Sequence, residues 1–420
     1  MEVSEQNRSD GGGRADTAKA SEGTGAVEPV FLDYQATTPV DPSVFEAMLP
    51  FLRGFVGNAH SSNSHGQVAK HWVEKARGQV AQLIGSAPGE IVFTSGATEA
   101  NNLLIRGAAS AGARAGRTRV VTIVTEHKSV LEVVRRLVQA GVEVAVLSVD
   151  ADGLVDMAAV RAAVNEKTSL VTVMAANNEI GVLQPLADIG RHCRSVGALF
   201  HSDAAQAAGK VPLHVDEADL DLLSLSGHKI YGPMGIGAAY VRRSAWRRVD
   251  PLLHGGGQEG GLRSGTLPVA LAVGLGEACR LAAELMPGEA ARLKQLRELF
   301  LAELRGGGVE FVVNGSMDKR LPGNLNVSFT GVDAEALLMS LRAKLSIASG
   351  SACTAQALEP SHVVQALGGR AERAEEAVRI GFGRPTSEAE VVAAGRFLVR
   401  AVARLASVSY GAPAIEGMRR

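Results

Sequence analysis

The sequence predicts an α/β protein with a large domain on a mainly parallel sheet and a smaller α+β domain. The chain has 420 residues, too many for a single hydrophobic core. From about residue 30 to residue 284, short apolar runs alternate with segments of helical spacing, the order expected of strands joined by crossover helices. Beyond Pro287 this regular alternation ends. The predicted division is a disordered tail over 1–29, a small domain from 30–40 and 285–410, a large domain over 41–284, and a loose C-terminus over 411–420.

The elements of the large domain follow from local patterns. Residues 30–34 predict a strand that ends before a Thr-Thr-Pro turn, and residues 71–83 carry Trp, Val and Ala on one side of a helix. Residues 120–124 are β-branched and predict a buried strand, which a helix follows at residues 131–138. Further strands of the parallel type are predicted at residues 170–174, 198–200, 220–225 and 235–241.

The small domain is predicted from a second set of patterns. A charged helix at residues 290–304 leads to strands at residues 309–313 and 325–329. A helix at residues 334–343, a strand at residues 377–382 and a last helix at residues 388–405 complete it.

The composition excludes several classes of protein. Hydrophobic residues make up 46% of the chain and charged residues 21%, as in ordinary soluble globular proteins. The net charge of −1 argues against a nucleic-acid or acidic-membrane surface, and no apolar run is long enough to span a bilayer. The three cysteines have neither disulfide nor metal-ligand spacing, which favours a reducing cytoplasm and no metal site. The tail lacks a signal-peptide core, although an organelle presequence is an alternative.

Polar residues recur where the predicted strands end, and the carboxyl ends of parallel strands are where such sheets bind ligands. Among them, Lys229 follows the run at 220–225 and is flanked by a serine, a histidine and a Gly-Pro turn. A partly desolvated amine there has a lowered pKa and is a candidate for a Schiff base. The others are Thr94–Thr98, Glu126, His127, Asn177, Asn178, Asp203 and His228.

Four of these positions predict contacts to an anionic or aromatic ligand. Ala97 and Thr98 open a helix after a strand, where main-chain N–H groups bind phosphate, although a plain N-cap is the alternative. Asp203 can pair with a protonated ring nitrogen, with Gln206 one turn further along, or it can simply cap the next helix. His127 can stack on a ring and exchange protons, or serve a structural role.

Four further residues have open interpretations. Asn178 can contact a ligand or lie in a turn, and Arg379 can bind a carboxylate or form an internal ion pair. Thr266 ends a glycine-rich stretch that reaches a neighbouring subunit or remains a surface loop. Cys353 lies among small residues as either a reactive thiol or a buried apolar side chain, and the latter is the prediction for Cys193 and Cys279.

Together these segments resemble the cysteine desulfurases of the fold-type I pyridoxal-phosphate enzymes, which belong to the class-V aminotransferases. The resemblance extends from about residue 31 to residue 405. The most specific motifs are Leu-Asp-Tyr-Gln-Ala-Thr-Thr-Pro at 32–39, Thr-Ser-Gly-Ala-Thr-Glu at 94–99, Ser-Gly-His-Lys-Ile-Tyr-Gly-Pro at 226–233, Arg-Ser-Gly-Thr at 263–266 and Ser-Gly-Ser-Ala-Cys-Thr at 349–354. The last of these is similar to the long-loop group of NifS and IscS. Gln35 and Met234 depart from the pattern at positions expected to lie outside the chemistry.

The resemblance implies a role for each residue. Lys229 would hold pyridoxal 5′-phosphate as a Schiff base and move a proton, with His127 stacked on the ring. Asp203 would pair with the pyridine nitrogen, and Arg379 would bind the substrate carboxylate. The remaining cofactor contacts would come from Ala97, Thr98, Asn178, Gln206, Ser226, His228 and, across a homodimer interface, Thr266.

The same resemblance implies that L-cysteine becomes L-alanine while its sulfur stays on Cys353 as a persulfide. A sulfur-acceptor protein of iron–sulfur cluster assembly or a thiolation pathway would then take the sulfur. A selenocysteine lyase and an aminotransferase share this fold and remain alternatives. A catalytically silent binding partner is a third, against which Lys229, Asp203, His127 and Cys353 together argue.

Overall fold

The computed structural model of the protein describes residues 28–349 and 360–409, so Cys353 and both ends of the chain lie outside the described residues. Thirteen strands and ten α-helices fall within these ranges. The strands are β1 (Val30–Phe31), β2 (Ile91–Thr94), β3 (Arg119–Ile123), β4 (Glu143–Leu147), β5 (Thr168–Thr172), β6 (Leu199–Asp203), β7 (Leu222–Ser226), β8 (Gly237–Val241), β9 (Phe311–Val313), β10 (Asn324–Phe329), β11 (Leu345–Ser346), β12 (Ala348–Ser349) and β13 (Ala377–Gly381). The helices are α1 (Pro42–Leu52), α2 (Ser64–Ile84), α3 (Ala97–Arg114), α4 (Lys128–Gln139), α5 (Met157–Ala163), α6 (Leu186–Val196), α7 (Val269–Gly306), α8 (Ala334–Leu341), α9 (His362–Ala366) and α10 (Glu388–Ser409).

The large sheet has seven strands in the order β2-β8-β7-β6-β5-β3-β4 and confirms the predicted α/β fold class. Strands β3 to β7 pair in parallel, and β8 is antiparallel to both of its neighbours. The prediction that 235–241 is another strand of the parallel type is therefore wrong. Only ten residues separate β7 from β8, too few for the crossover helix that a parallel pair requires.

Helices cover both faces of the large sheet, because successive residues of each strand point to opposite sides. On β6, Phe200 belongs to the main hydrophobic core, whereas Leu199 packs into a second core with α3 and α4. Both side chains are fully buried. The sheet therefore exposes its strand ends, rather than its faces, to a ligand.

The second sheet has four strands in the order β12-β13-β10-β9, and its pairs are antiparallel. Its core includes Phe300, Phe329 and Leu398, and β1 joins β11 beside it. The predicted helix at residues 290–304 is the second half of α7, which runs through Pro287 for 38 residues. The first half of α7 packs into the core of the large sheet and the second half into the core of the small sheet.

Several bounds differ from the predicted ones. Strand β1 ends at Phe31 because Asp33 leaves the pairing to bridge Gly381, and α2 begins seven residues early at Ser64, where the Asn63 side chain caps it. Strand β4 was missed because, as the edge strand, it has a partly exposed pattern. Cys193 and Cys279 are buried and unpaired, as predicted. Within the part of the chain that is described, no helix combines the length and apolar character needed to cross a membrane.

We predict that Gly237→Ala lowers the free energy of unfolding by about 1–3 kcal/mol, because overpacking strains the backbone. A Cβ on Gly237 would lie 2.6 Å from the Gly96 Cα and 2.5 Å from the Leu225 carbonyl oxygen. Chemical denaturation measures the change. The matched control is Gly78→Ala in α2, where a Cβ meets open space and should stabilise by about 0.5–1 kcal/mol. Equal effects of the two substitutions would contradict this packing.

Candidate active site

A cavity of about 560 Å³ opens at the carboxyl-end edge of the large sheet. It collects residues that are far apart in the sequence, as the strand-end pattern predicts. The predicted residues that line it are Ala97, Thr98, His127, Asn178, Asp203, Gln206, Ser226, His228, Lys229 and Arg379. Gln35 and Met234, the two positions that depart from the family pattern, line it as well.

Lys229 lies on a single 3₁₀ turn directly after β7. Its Nζ donates hydrogen bonds to the carbonyl oxygens of Gln35 and Ala36, each at 2.7 Å. The segment that supplies these carbonyls is held to the same turn, since the Thr38 N–H and hydroxyl both donate to the His228 carbonyl, at 3.0 and 2.9 Å. Two main-chain carbonyl oxygens therefore hold the ammonium group of Lys229 in a defined position.

One end of the cavity has the donors of an anion site. Helix α3 begins at Ala97 after Gly96, and its first N–H groups have no acceptor within the helix. The space beside Gly96 is open, since the nearest atom to a Cβ there would be Ser226 Oγ at 3.9 Å. His228 Nδ1 lies 3.1 Å from Thr37 Oγ1. Burial, helped by the charges of Lys229 and Lys210, lowers the pKa of His228 to about 4, so its ring is neutral at neutral pH.

A chain of hydrogen bonds joins Asp203 to His127 through two residues that the sequence analysis missed. Asn101 Nδ2 donates to Asp203 Oδ2 at 2.7 Å and to Ser129 Oγ at 2.8 Å. Ser129 Oγ lies 2.8 Å from His127 Nδ1. A polar Asn101 among the buried alanine and leucine residues of α3 was the available signal, and Ser129 stands at a capping distance from His127.

The same contacts determine the tautomer of His127. Its Nδ1 accepts from the Ser129 N–H at 3.1 Å as the N-cap of α4, so the proton of the neutral ring lies on Nε2. Burial lowers the pKa of His127, and the charge of Lys229 acts in the same direction, whereas Asp203 opposes them. A neutral imidazole at this position can stack on a flat ring. It can accept a proton at Nδ1 only if that atom first loses its hydrogen bonds from Ser129.

Glu126 is a buried carboxyl group behind the site. Its Oε1 accepts from the Met174 N–H at 2.5 Å, and its Oε2 has no hydrogen-bond partner among the described residues. Burial raises the pKa of Glu126 well above its ordinary value, and the neighbouring charge of Asp203 adds to the effect. Glu126 is therefore held neutral behind the cavity, and Asp203 is the acidic residue that lines this end of it.

Arg379 enters the cavity from β13 of the small sheet. Its Nη2 forms an ion pair with Asp33 Oδ1 at 2.7 Å, and its Nη1 donates to the Asn178 carbonyl at 3.0 Å. The internal ion pair that the sequence left open is thus present. Its Nε, however, is buried without a partner among the described residues, and a buried donor of this kind requires an acceptor. A ligand carboxylate in the cavity would supply one.

The amides near the site divide into structural and ligand-facing groups. Asn177 forms the predicted turn, because its Oδ1 accepts from the N–H groups of Glu179 and Ile180 at 2.8 and 2.9 Å. Gln206 Nε2 donates to the Gln35 carbonyl at 2.9 Å, and its Oε1 accepts from Lys210 Nζ at 2.8 Å. Asn178 lines the cavity beside Arg379.

Thr266 is exposed and does not line the cavity of its own chain. The glycine-rich stretch before it is held in place by Glu259. This residue is buried and forms a bidentate ion pair with Arg77 at 2.7 and 2.8 Å. Glu259 Oε2 also accepts from the Phe93 N–H at 2.7 Å, which ties the stretch to β2. The surface-loop alternative therefore describes Thr266 itself, but not the residues that hold it.

Cys353 lies outside the described residues, but the chain that resumes after it is anchored at the site. Ser361 Oγ donates to Glu179 Oε2 at 2.5 Å, and His362 Nε2 lies 3.2 Å from the Glu126 carbonyl oxygen. Burial raises the pKa of Glu179 to about 7, against the opposing effect of its Ser361 hydrogen bond. Glu179, which binds Ser361, directly follows Asn178 in the sequence, and Glu126, which binds His362, directly precedes His127.

The aminotransferase class-V family model matches residues 30–393 of this chain. A Rickettsia bellii protein named cysteine desulfurase IscS is 47% identical over 382 residues, which cover 91% of this chain and 93% of that protein. A mitochondrial cysteine desulfurase of Arthroderma benhamiae is 50% identical over 86% of this chain and 72% of its own. A solved NifS-like protein superposes with a TM-score of 0.82 at 34% identity, over 91% of this chain and all of that one. A structure described as SspA in complex with cysteine gives a TM-score of 0.74 at 37% identity, over 84% of this chain and 98% of that one.

We predict that Glu126→Gln removes a pH-dependent loss of stability. The pKa of Glu126 is raised in the folded state. The contribution of its protonated form to the free energy of unfolding is therefore fully present below the ordinary pKa of 4.5 and is lost as the pH rises towards the folded-state pKa. The free energy of unfolding of the variant should therefore increase relative to the wild type from about pH 5 to about pH 8, by at most about 1.4 kcal/mol per pH unit. Urea titrations over this range give the difference, and a difference independent of pH would contradict the neutral state of Glu126.

Proposed function

The chain belongs to the class-V aminotransferase family and, within it, to the cysteine desulfurases, and we propose that it converts L-cysteine to L-alanine and holds the released sulfur as a persulfide on Cys353. The unpartnered Nε of Arg379 is the observation that carries the proposal. Arg379 lines the same cavity as Lys229, so a carboxylate bound by Arg379 would bring an amino acid against the amine.

The residues around the cavity fit pyridoxal 5′-phosphate as the cofactor. The amide groups at the start of α3, with Thr98, Ser226 and His228, form an anion site for its phosphate. The carboxyl group of Asp203, held by Asn101, suits a protonated pyridine nitrogen, and His127 presents a neutral ring. When bound, the cofactor supplies an electron sink for the Cα carbon of the substrate.

The residues of the chain then have separate tasks. Lys229 would hold the cofactor covalently, and its amine, when not bound to the cofactor, would lie at the carbonyls of Gln35 and Ala36 and could take up the Cα proton. Arg379 orients the substrate carboxylate and Asn178 lies beside it. His127 moves a proton at its Nε2, because its Nδ1 is occupied by Ser129.

Sulfur transfer requires the thiolate of Cys353. It attacks the sulfur of the substrate, a new S–S bond forms, and the C–S bond breaks with its electron pair remaining on the Cβ carbon. Protonation of that carbon yields alanine, so atoms and electrons balance without an external oxidant. A sulfur-acceptor protein in cluster assembly or thiolation would then take the sulfur from Cys353. A cytoplasmic location accords with the unpaired state of Cys193 and Cys279.

We further propose a homodimer in which Thr266 reaches the phosphate site of the partner. Phe45, Leu52, Val56 and Val68 leave large apolar side chains 47–73% exposed on and between α1 and α2. The segment between Val56 and Val68 borders a cavity with Glu259 and Leu267, next to Thr266. A second copy covering this region would bury the apolar side chains and place Thr266 at the interface.

The reaction is tested by mass spectrometry after brief incubation with L-cysteine. The wild type should gain the mass of sulfur on the peptide that contains Cys353 and release alanine, and Cys353→Ser should do neither. Alanine and selenide release from selenocysteine by Cys353→Ser would instead support a lyase. Amino transfer to a keto acid without Cys353 would support an aminotransferase, and a protein that never acquires cofactor absorbance would support a silent binding partner.

The assembly is tested by light scattering of the full chain. We expect a mass of two chains of 43.7 kDa each, and a weaker affinity for the cofactor in Thr266→Val without a change in mass. Ser264→Ala, in the same stretch, is the matched control and should retain the wild-type affinity. A monomer with full cofactor occupancy would refute the shared site.

A further inference from the structure

A second lysine lies behind the Schiff-base candidate. Lys210 follows Gln206 by four residues on the segment after β6, and its side chain lines a small chamber of about 30 Å³, enough for one or two water molecules. Lys229, Gln35, Tyr231, Glu289 and Arg384 line the same chamber. Because Gln35 and Lys229 also line the large cavity, the chamber adjoins the proposed cofactor site on its inner side.

The contacts of Lys210 lead directly into the site. Lys210 Nζ donates to Gln206 Oε1 at 2.8 Å, and Gln206 Nε2 donates to the Gln35 carbonyl at 2.9 Å. That carbonyl also accepts from Lys229 Nζ at 2.7 Å. Gln206 is therefore held between a lysine that only donates on one side and a carbonyl that only accepts on the other.

This arrangement determines which way the amide of Gln206 faces. An amide can turn over and exchange its oxygen for its nitrogen, but only one orientation satisfies both neighbours. Its oxygen must face Lys210, and its NH₂ group must face the Gln35 carbonyl. One N–H of that group is used by Gln35, and the second remains for the cavity that Gln206 lines.

On the basis of the proposed function, we propose that Lys210 is a positioning residue that fixes the Gln206 amide so that an N–H donor, and not a carbonyl oxygen, faces the ring oxygen of the cofactor. An N–H donor stabilises negative charge on that oxygen. The oxygen then shares the proton of the neighbouring Schiff-base nitrogen less tightly, so the pKa of that proton falls. Lys210 would thus act on the cofactor through Gln206 without touching it.

The electrostatic surroundings are compatible with this role. Burial and the charges of Lys229 and Arg379 together lower the pKa of Lys210 to about 7, against the opposing effect of Glu289. A lysine side chain retains N–H donors in both the charged and the neutral form. The Gln206 oxygen can therefore accept a hydrogen bond from Lys210 in either form.

The experiment titrates the absorbance of the bound cofactor against pH in the absence of cysteine. Lys210→Met should raise the apparent pKa of the cofactor by about one unit, the size expected from loss of one hydrogen bond to a charged group. Lys210→Arg, which retains a donor, should restore most of the shift. Gln206→Leu should give the same rise as Lys210→Met, and the double variant should show no further rise.

Two outcomes would overturn the inference while leaving the proposed function intact. One is an unchanged pKa in Lys210→Met, and the other is a full additional shift when that change is made in the Gln206→Leu background, which would indicate a direct charge effect. If Lys210→Met does not fold, Gln206→Glu leaves Lys210 in place and offers only acceptors, so it should raise the pKa at least as much, and no rise would refute the idea. A wild type without cofactor absorbance would overturn the proposed function and this inference together.

Discussion

The site depends on the hydrogen bonds from Lys229 Nζ to the carbonyls of Gln35 and Ala36. These carbonyls belong to a segment without regular structure that is held at both ends. On one side, Leu32 is buried in the core of the small sheet and its carbonyl accepts from the Gly381 N–H at 2.7 Å. On the other side, Thr38 is bonded to the turn that carries Lys229. The position of the amine is therefore defined by both sheets at once.

Burial determines which of the ionisable groups around this amine are neutral. Asp203 and Glu126 are neighbouring carboxyl groups, and the low dielectric of the interior penalises two negative charges there, so the more deeply buried Glu126 stays protonated. The two oxygens of Asp203 instead accept hydrogen bonds from Asn101 Nδ2 and the Ala205 N–H. His127 and His228 are both neutral, because burial and the nearby charge of Lys229 lower the pKa of each ring. The site therefore presents carboxyl groups, neutral imidazoles and cationic groups to a ligand.

The sequence was sufficient for the fold class and for most of the cavity lining, because strand ends of a parallel sheet converge whatever the details of the helices. It was not sufficient for Asn101 and Ser129, whose importance lies in contacts across the fold rather than in a local pattern. Gln35 was missed for a different reason. Its contribution comes from a main-chain carbonyl, which every residue possesses and no side-chain motif reveals. The orientation of β8 was misjudged because the length of the preceding connection was not weighed against its strand pattern.

Helix α7 has a consequence for how the molecule folds. Its 38 residues extend for about 57 Å, and no linker separates the half that packs on the large sheet from the half that packs on the small sheet. Loss of either core would leave an apolar stripe of a continuous helix exposed to water. Unfolding of the large-sheet part therefore destabilises the small-sheet part, and the reverse. Pro287 has no N–H to donate, so one hydrogen bond of the helix is missing there and a bend at this point costs little. The two halves of the enzyme are thus coupled in folding cooperativity, although the sequence divides them at almost the same residue.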